Sequence, residues 1–326
     1  MKVTASAPAK TILTGEHFVV YDEPAVVMAI DRRVRVTVEE RSDAELHISS
    51  DLGVSGAFIG SDYRPEMGGL ETKKTLEPIR IAAQTVLDTL GEKRGLDITV
   101  DSDIPVAVGL GSSGALAVAT VAATGRLLGA SFTRREIADL PFEAERFVHV
   151  KPSGIDQTIA TYGGVIVYRR SEGIVPLKAE ADIPIVIGNT GILRITGKLV
   201  ELVRIRKERF PGVMDPLIRV AGQLSRSTVR ALQDGDMKRL GELLDINHGM
   251  LSAIGVSNEA LDRLVHAARR GGALGAKLTG AGGGGCMIAL STVEGREEVA
   301  RAIHEAGGVP MIARKTDRGV RVWVEG

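Results

Sequence analysis

GLGSSG, Gly109–Gly114, has the G-x-G-x-x-G spacing of a dinucleotide-binding turn, and how it is read decides what kind of chain this is. That spacing specifies a dinucleotide only where a strand runs into it, a helix leaves it and an acid follows about 20 residues later for the ribose. A helix pattern does leave it, but at that distance the chain reads LLGAS, Leu127–Ser131, with no acid. The other glycine run, GAGGGG at Gly280–Gly285, passes into CMIAL, Cys286–Leu290, a short apolar run with strand character. A glycine turn at the head of a helix still has chemistry: free N–H groups and the helix dipole favour an anion, and glycines let it approach closely. Ser112 and Ser113 add hydroxyls able to meet a phosphate oxygen or a magnesium ion. A glycine-rich cap with no ligand would use the same residues. No G-x-x-x-x-G-K-[ST] occurs, which excludes a Walker loop.

Upstream of this turn the chain alternates β-branched runs with turns. Val3–Ser6, Thr11–Leu13, Ala25–Ile30, Val34–Glu39 and Leu46–Ser49 suit strands. Thr72–Leu90 has helical spacing, with Pro78 in its first turns, and Leu96–Val100 is a strand. Ala115–Leu128 is a helix so rich in alanine that something must pack very close to it. Thr133 and Glu136 form a capping box for a helix expected to carry Glu143 and Glu145 and to end near His149. Strands are expected around Thr158–Tyr168 and Ile183–Gly188. The second half is mostly helical, over Gly197–Phe210, Asp215–Gln233, Asp236–Ala253, Asn258–Arg270 and Glu294–Ala306. Strands at Ala276–Leu278, Cys286–Leu290, Val309–Ala313 and Val320–Val324 suggest a β-α-β-β layout beside those helices. RRSEG breaks the strand pattern near Glu172, dividing the chain into residues 1–172 and 173–326.

The 326 residues are 44% hydrophobic and 25% charged, ordinary for a soluble globular enzyme. Lys+Arg and Asp+Glu are 41 each, so no global field draws in nucleic acid and any anion site must be local. One cysteine, Cys286, excludes an intramolecular disulfide framework and fits a reducing cytoplasm. The opening residues do not read as a signal peptide, and no window approaches the ~20 apolar residues of a membrane helix.

Two further runs carry chemistry. In KPSGIDQTIATYGG, Lys151–Gly164, Pro-Ser-Gly fixes a turn and Asp156 follows it, where it could face a cleft; a plain turn acid is the bland alternative. In KLTGAGGGGCMIAL, so many glycines between two strands lose much backbone entropy for little packing, which a ligand-touching loop explains better than a hairpin.

Taken with APAKTILTGEHFVVY near the start and PVAVGLGSSGALAVAT in the middle, these runs resemble the successive motifs of the GHMP kinases in their usual order, across most of the chain. GEHFVVY, PSGIDQTIATYGG and LTGAGGGGC are most similar to the mevalonate kinases within that superfamily. The resemblance implies an α+β chain with an S5-like N-terminal domain that binds ATP, a ferredoxin-like C-terminal domain with added helices, and an active site between them. It implies that Pro105, Gly109, Leu110, Gly111, Ser112, Ser113 and Gly114 surround the ATP phosphates. By motif position Ser113 and Glu145 are the Mg2+ ligands, Asp156 the catalytic acid residue and Lys10 the lysine beside it. Glu16, His17, Arg194, Thr196, Gly280, Ala281 and Gly282 fall where substrate-facing residues are expected. Mevalonate and ATP are the implied small-molecule partners, with no nucleic acid and no membrane, and a homodimer is allowed.

Three positions depart from the family's wording. Ala9 stands where a glycine is usual, Val150 and Lys151 where Gly-Asn is commoner, and Asn189 where an aspartate is frequent. Three alternatives stay open on sequence alone: another GHMP kinase acting on phosphomevalonate, a sugar or an amino-acid alcohol; an NAD-dependent oxidoreductase built on GLGSSG; and a non-catalytic nucleotide-binding module. The missing acid disfavours the second, and Lys10, Glu145 and Asp156 together weaken the third.

Overall fold

The computed structural model describes residues 1–105, 109–142, 144, 154–193 and 196–325. Strand β1 (Lys2–Thr14) pairs antiparallel with β2 (Ala25–Arg41), so the short runs read separately above join into two long strands. Register shifts on either side of Lys10, between Pro8 and Ala9 and between Ile12 and Thr14, accommodate the interruptions that made them look separate. Ala9 is fully buried at the first shift, which is where the chain departs from the glycine of related sequences.

β3 (Leu46–Ser50), β4 (Val54–Ile59), β5 (Asp62–Met67) and β6 (Gly95–Ser102) extend this sheet in the order β13-β1-β2-β6-β3-β4-β5. β3 and β6 run parallel. β7 (Val165–Arg169) joins β2 at its far half, and β8 (Gly173–Leu177) pairs with β7. Glu172 therefore sits in the turn between two paired strands. The chain crosses to the second sheet over 178–183.

Helices α1 (Lys73–Leu90), α2 (Ser112–Leu127), the short α3 (Arg134–Asp139) and α4 (Ile155–Tyr162) accompany the first sheet. The capping box of Thr133 and Glu136 is formed at the start of α3. Glu143, Glu145 and His149 lie outside the described residues. α2 is buried almost all round, lying between the sheet, α1 and α4, and its alanines and glycines set those short distances. Gly125 illustrates the fit: a Cβ there would lie 2.6 Å from the Phe132 ring.

One expectation fails here. TIATY, Thr158–Tyr162, the first part of the strand expected around Thr158–Tyr168, is helical, and the strand begins only at Val165. The β-branched residues mimic a strand, but Ile155 and Ile159, four apart, bury one helical face against Val27, Ala29 and Ile166.

The second sheet is antiparallel, ordered β10 (Gly275–Leu278), β11 (Cys286–Leu290), β9 (Pro184–Asn189), β12 (Val309–Arg314). Over it and beside it lie α5 (Thr196–Arg209), α6 (Pro211–Asp234), α7 (Met237–Ala253), α8 (Glu259–Arg270) and α9 (Arg296–Glu305). The last strand, β13 (Arg321–Glu325), does not complete this layer as the β-α-β-β pattern suggested. It returns to pair with β1, so the two layers are tied by both the 178–183 crossing and the C-terminal strand. No helix among the described residues is long and apolar enough to cross a membrane.

Candidate active site

A cleft of about 570 Å3 opens where β1, the start of α2, the start of α4 and the β10–β11 loop converge. Lys10 and Asp156 meet in its wall, with Nζ 3.3 Å from Oδ1 and side chains 10% and 19% exposed. Lys10 is held at both ends of its length. Its N–H donates to the Leu110 carbonyl at 2.8 Å, and its stem lies over Gly111, where a Cβ would come within 2.7 Å of Lys10 Cγ. Gly111 also has φ +74°, which favours glycine. Asp156 is seated similarly: a Cβ on Gly114 would lie 2.7 Å from Asp156 Cβ. Two glycines of GLGSSG thus make room for the pair. Their spacing serves side-chain packing as much as phosphate approach.

Gly111 precedes α2 and no side chain caps the helix start. The first N–H groups of a helix have no intrahelical acceptor, and the dipole places positive potential there. Gly109, Gly111, Ser112 and Ser113 all line the cleft at this point, within reach of the Lys10–Asp156 pair. Leu110 is buried in the core and contributes its carbonyl to Lys10. Pro105 is not among the lining residues.

The opposite wall comes from the tip of β1 and the β10–β11 loop. Glu16 and His17 line the cleft with Gly280 and Ala281. His17 has φ 61°, a sparsely populated conformation for a residue with a side chain, which typically costs about 1–3 kcal/mol. Its Nε2–H donates to the Ala281 carbonyl at 2.9 Å, fixing the glycine loop against β1. Farther along, Gly282 lies against the Val256 carbonyl, Gly283 against Leu199 and Gly284 against Ile192. Gly283 N–H donates to Val256 O and Gly285 N–H to Ile192 O. The loop's glycines therefore do pack, contrary to the expectation of little packing. Close backbone approach to neighbouring loops accounts for Gly282 to Gly284, while Gly280 and Ala281 face the cleft.

Glu16 is engaged as well. Its carboxylate pairs with Lys277 of β10, both side chains being essentially inaccessible, and accepts a hydrogen bond from Asn247 Nδ2 at 3.1 Å. Lys277 Nζ also donates to Ile12 O. Burial pushes the Lys277 ammonium below its usual range and the Glu16 carboxylate opposes that shift. Removing one partner of such a pair typically costs about 3–5 kcal/mol. Beside it Thr279 Oγ1 donates to Ile12 O and accepts from Ile12 N–H, so the two sheets are laced together under the site. Sequence reasoning missed Lys277 and Asn247. The available signal was a lysine inside the otherwise apolar strand GAKL.

Also missed was the far end of the cleft. Asp51 and Leu52 from the β3–β4 turn, Thr75, Pro78 and Ile79 from α1, and Val100 and Ser102 from β6 form a largely apolar chamber continuous with the Lys10 end. The turn is fixed to β6 by Asp51 N–H to Val100 O and by Ser102 N–H to Asp51 Oδ2. Of the remaining expected residues, Thr196 opens α5, whereas Glu145, Val150, Lys151 and Arg194 lie outside the described residues. Asn189 Oδ1 accepts from Gly191 N–H, a turn-forming role that an aspartate could also fill.

The sequence matches the family model for the GHMP kinases N terminal domain over residues 77–164 and that for GHMP kinases C terminal over 228–309. It is 41% identical over 331 residues to the mevalonate kinase of Pyrococcus horikoshii, covering 98% of this chain and 97% of the relative. The mevalonate kinase of Thermococcus sibiricus is also 41% identical, with 99% and 98% covered. Among solved structures, L. major mevalonate kinase in complex with R-mevalonate superposes with a TM-score of 0.85 at 29% identity, covering 96% of each chain.

Proposed function

Because the chain belongs to the GHMP kinase family, and is an ATP-dependent kinase with an alcohol as acceptor, we propose that this alcohol is the primary hydroxyl of mevalonate and the product 5-phosphomevalonate. The observation that carries the proposal is the Lys10–Asp156 pair standing in one cleft with the uncapped start of α2. A dinucleotide enzyme has no use for that pair, and a binding module has no use for a carboxylate aimed past a phosphate cradle.

In this proposal the N–H groups and hydroxyls at Gly111 to Ser113 hold the phosphates, and the apolar chamber between α1 and β6 receives the base and sugar. Asp156 accepts a hydrogen bond from the acceptor hydroxyl, aims its oxygen at the γ-phosphorus and takes the proton as the new O–P bond forms and the bond to ADP breaks. Lys10 offsets charge on the phosphoryl oxygens. Ser113 places a hydroxyl oxygen, a donor that fits Mg2+, at the cleft, and Glu145 is assigned as the second protein ligand. The bound ion would supply further neutralisation of phosphate charge. With its Nε2–H donated to Ala281, His17 shapes the acceptor's wall, and Arg194 is assigned the acceptor's carboxylate, since a buried anion must be paired. Action in the reducing cytoplasm belongs to the same proposal and is supported by the single cysteine.

A coupled ADP-release assay with mevalonate, phosphomevalonate, homoserine and galactose tests it. Mevalonate is expected to give the highest kcat/KM. Efficient turnover of one of the others with mevalonate inert would overturn the substrate assignment while leaving the kinase chemistry intact.

A further inference from the structure

Besides His17, the ionisable side chains that line the cleft among the described residues are Lys10, Glu16, Asp51 and Asp156, one cation against three carboxylates. A wall of that balance opposes an acceptor that carries a carboxylate of its own. Asp51 stands at the far end, in the β3–β4 turn, and Lys10 answers Asp156 at 3.3 Å. Glu16 is left, at the end formed with His17, Gly280 and Ala281.

Its counter-charge lies behind the wall. Lys277 on β10 does not line the cleft and its side chain is wholly inaccessible; Nζ donates to the Glu16 carboxylate and, at 3.4 Å, to the Ile12 carbonyl. The other oxygen of Glu16 accepts from Asn247 Nδ2 at 3.1 Å. Both contacts are donors, which suits an ionised carboxylate. Packing does not call for a lysine at this point of the strand. Ala276 and Leu278 on either side belong to the apolar core, and a buried ion pair is often no more stable than apolar residues of the same volume. The pair has a clearer use in what it does to the cleft. With the cation in place, Glu16 presents little net charge to the acceptor. Alone, a buried carboxylate is poorly screened by solvent and acts on any anion beside it.

We propose that Lys277 determines acceptor specificity through Glu16: as the counter-ion behind the wall, it cancels the field of that carboxylate and so admits an acceptor that is itself an anion. The proposal rests on mevalonate, a carboxylate at neutral pH, being the acceptor. Lys277 touches no substrate in this scheme and is a positioning residue.

KM for mevalonate, compared with that for its primary amide, a neutral analogue of nearly the same shape, provides the test; an inhibition constant serves where the amide turns over too slowly. Lys277→Met removes the cation and keeps the length of the side chain. It is expected to raise the mevalonate-to-amide ratio ~10- to 100-fold, the effect of one unit charge at roughly 6–10 Å and an effective dielectric of about 20. A purely structural role would raise both constants together. Adding Glu16→Gln to Lys277→Met removes the second charge, and the ratio is expected to return toward wild type. Glu16→Gln alone leaves the cation unopposed and is expected to lower the ratio, which decides the matter if circular dichroism shows that Lys277→Met does not fold. Equal changes in both constants for Lys277→Met, a ratio left high in the double variant, or no fall in Glu16→Gln would each overturn the proposal. Wild-type turnover of mevalonate reports separately on the substrate assignment. If another acceptor serves the wild type, a neutral one overturns the role of Lys277 and an anionic one takes mevalonate's place in the comparison.

Discussion

Asp156 and Lys10 form the smallest unit on which the chemistry turns. Their contact is 3.3 Å, and each is seated by a glycine of the same turn. Asp156→Asn keeps the shape and removes the charge; kcat is expected to fall by the ~10²–10⁴-fold typical of losing a positioned acid–base group, with ATP affinity retained. Lys10→Met is expected to lower kcat strongly too. Single-turnover kinetics beside an ATP titration separate the outcomes: loss confined to ATP binding would make Asp156 a nucleotide ligand. At this scale each residue alone was ambiguous, Lys10 reading as a solvated lysine and Asp156 as a turn acid, and only the resemblance of the ordered motifs singled them out. The sequence was silent on the partners of Glu16, which lines the cleft and whose carboxylate also meets Lys277 and Asn247, more than 200 positions away in the chain. No local pattern announces a partner at that separation.

Among the elements, α2 and α4 show how packing places the reacting groups. Their contact at Gly114 leaves no room for even one carbon, since a Cβ would lie 3.0 Å from the Asp156 carbonyl carbon and closer still to its Cβ. Gly114→Ala must therefore displace the head of α4, and a misplacement on the ångström scale costs up to ~10²-fold in rate. The expected result is a reduced kcat with ATP binding preserved. Gly125→Ala is the control: on the same helix it meets Phe132 instead, so it should lower the Tm and leave kcat near wild type. Equal kcat losses in the two variants would mean that α2 matters only for stability. Helix α2 was legible from its alanines, and its close neighbours were anticipated. α4 was not, because QTIATY is β-branched and only the tertiary setting of Ile155 and Ile159 decides for a helix. β4, β5 and β8 were not anticipated, the outer two, β5 and β8, being short edge strands interrupted by prolines.

Across the whole molecule, the site depends on two layers held in register, and the order of motifs along the chain carried that information better than any periodicity did. What it could not convey is how the layers are joined: by the return of β13 to β1, and by a buried polar seam under the cleft. His248 on α7 stands at the back of that seam. Its Nδ1 accepts the Leu278 N–H at 3.3 Å, which requires that nitrogen to be unprotonated, while Nε2 faces Asp262 at 3.1 Å. Burial is the main cause that pushes the imidazole down to about 4; Asp262 opposes it and Arg269 and Lys277 add to it. The unfolded chain's histidine titrates near 6.5, so between about pH 6.5 and pH 4 the unfolded state binds a proton that the folded state refuses. Stability from this group is complete above that window and is lost as pH falls through it, by roughly 2 kcal/mol between pH 7 and pH 5. His248→Asn offers an acceptor to Leu278 without a titrating proton. Urea unfolding at both pH values should show wild type losing more stability on acidification than the variant, whatever the variant's stability at pH 7. If the two lose the same amount, His248 is protonated in the folded protein and the Leu278 N–H must find another acceptor.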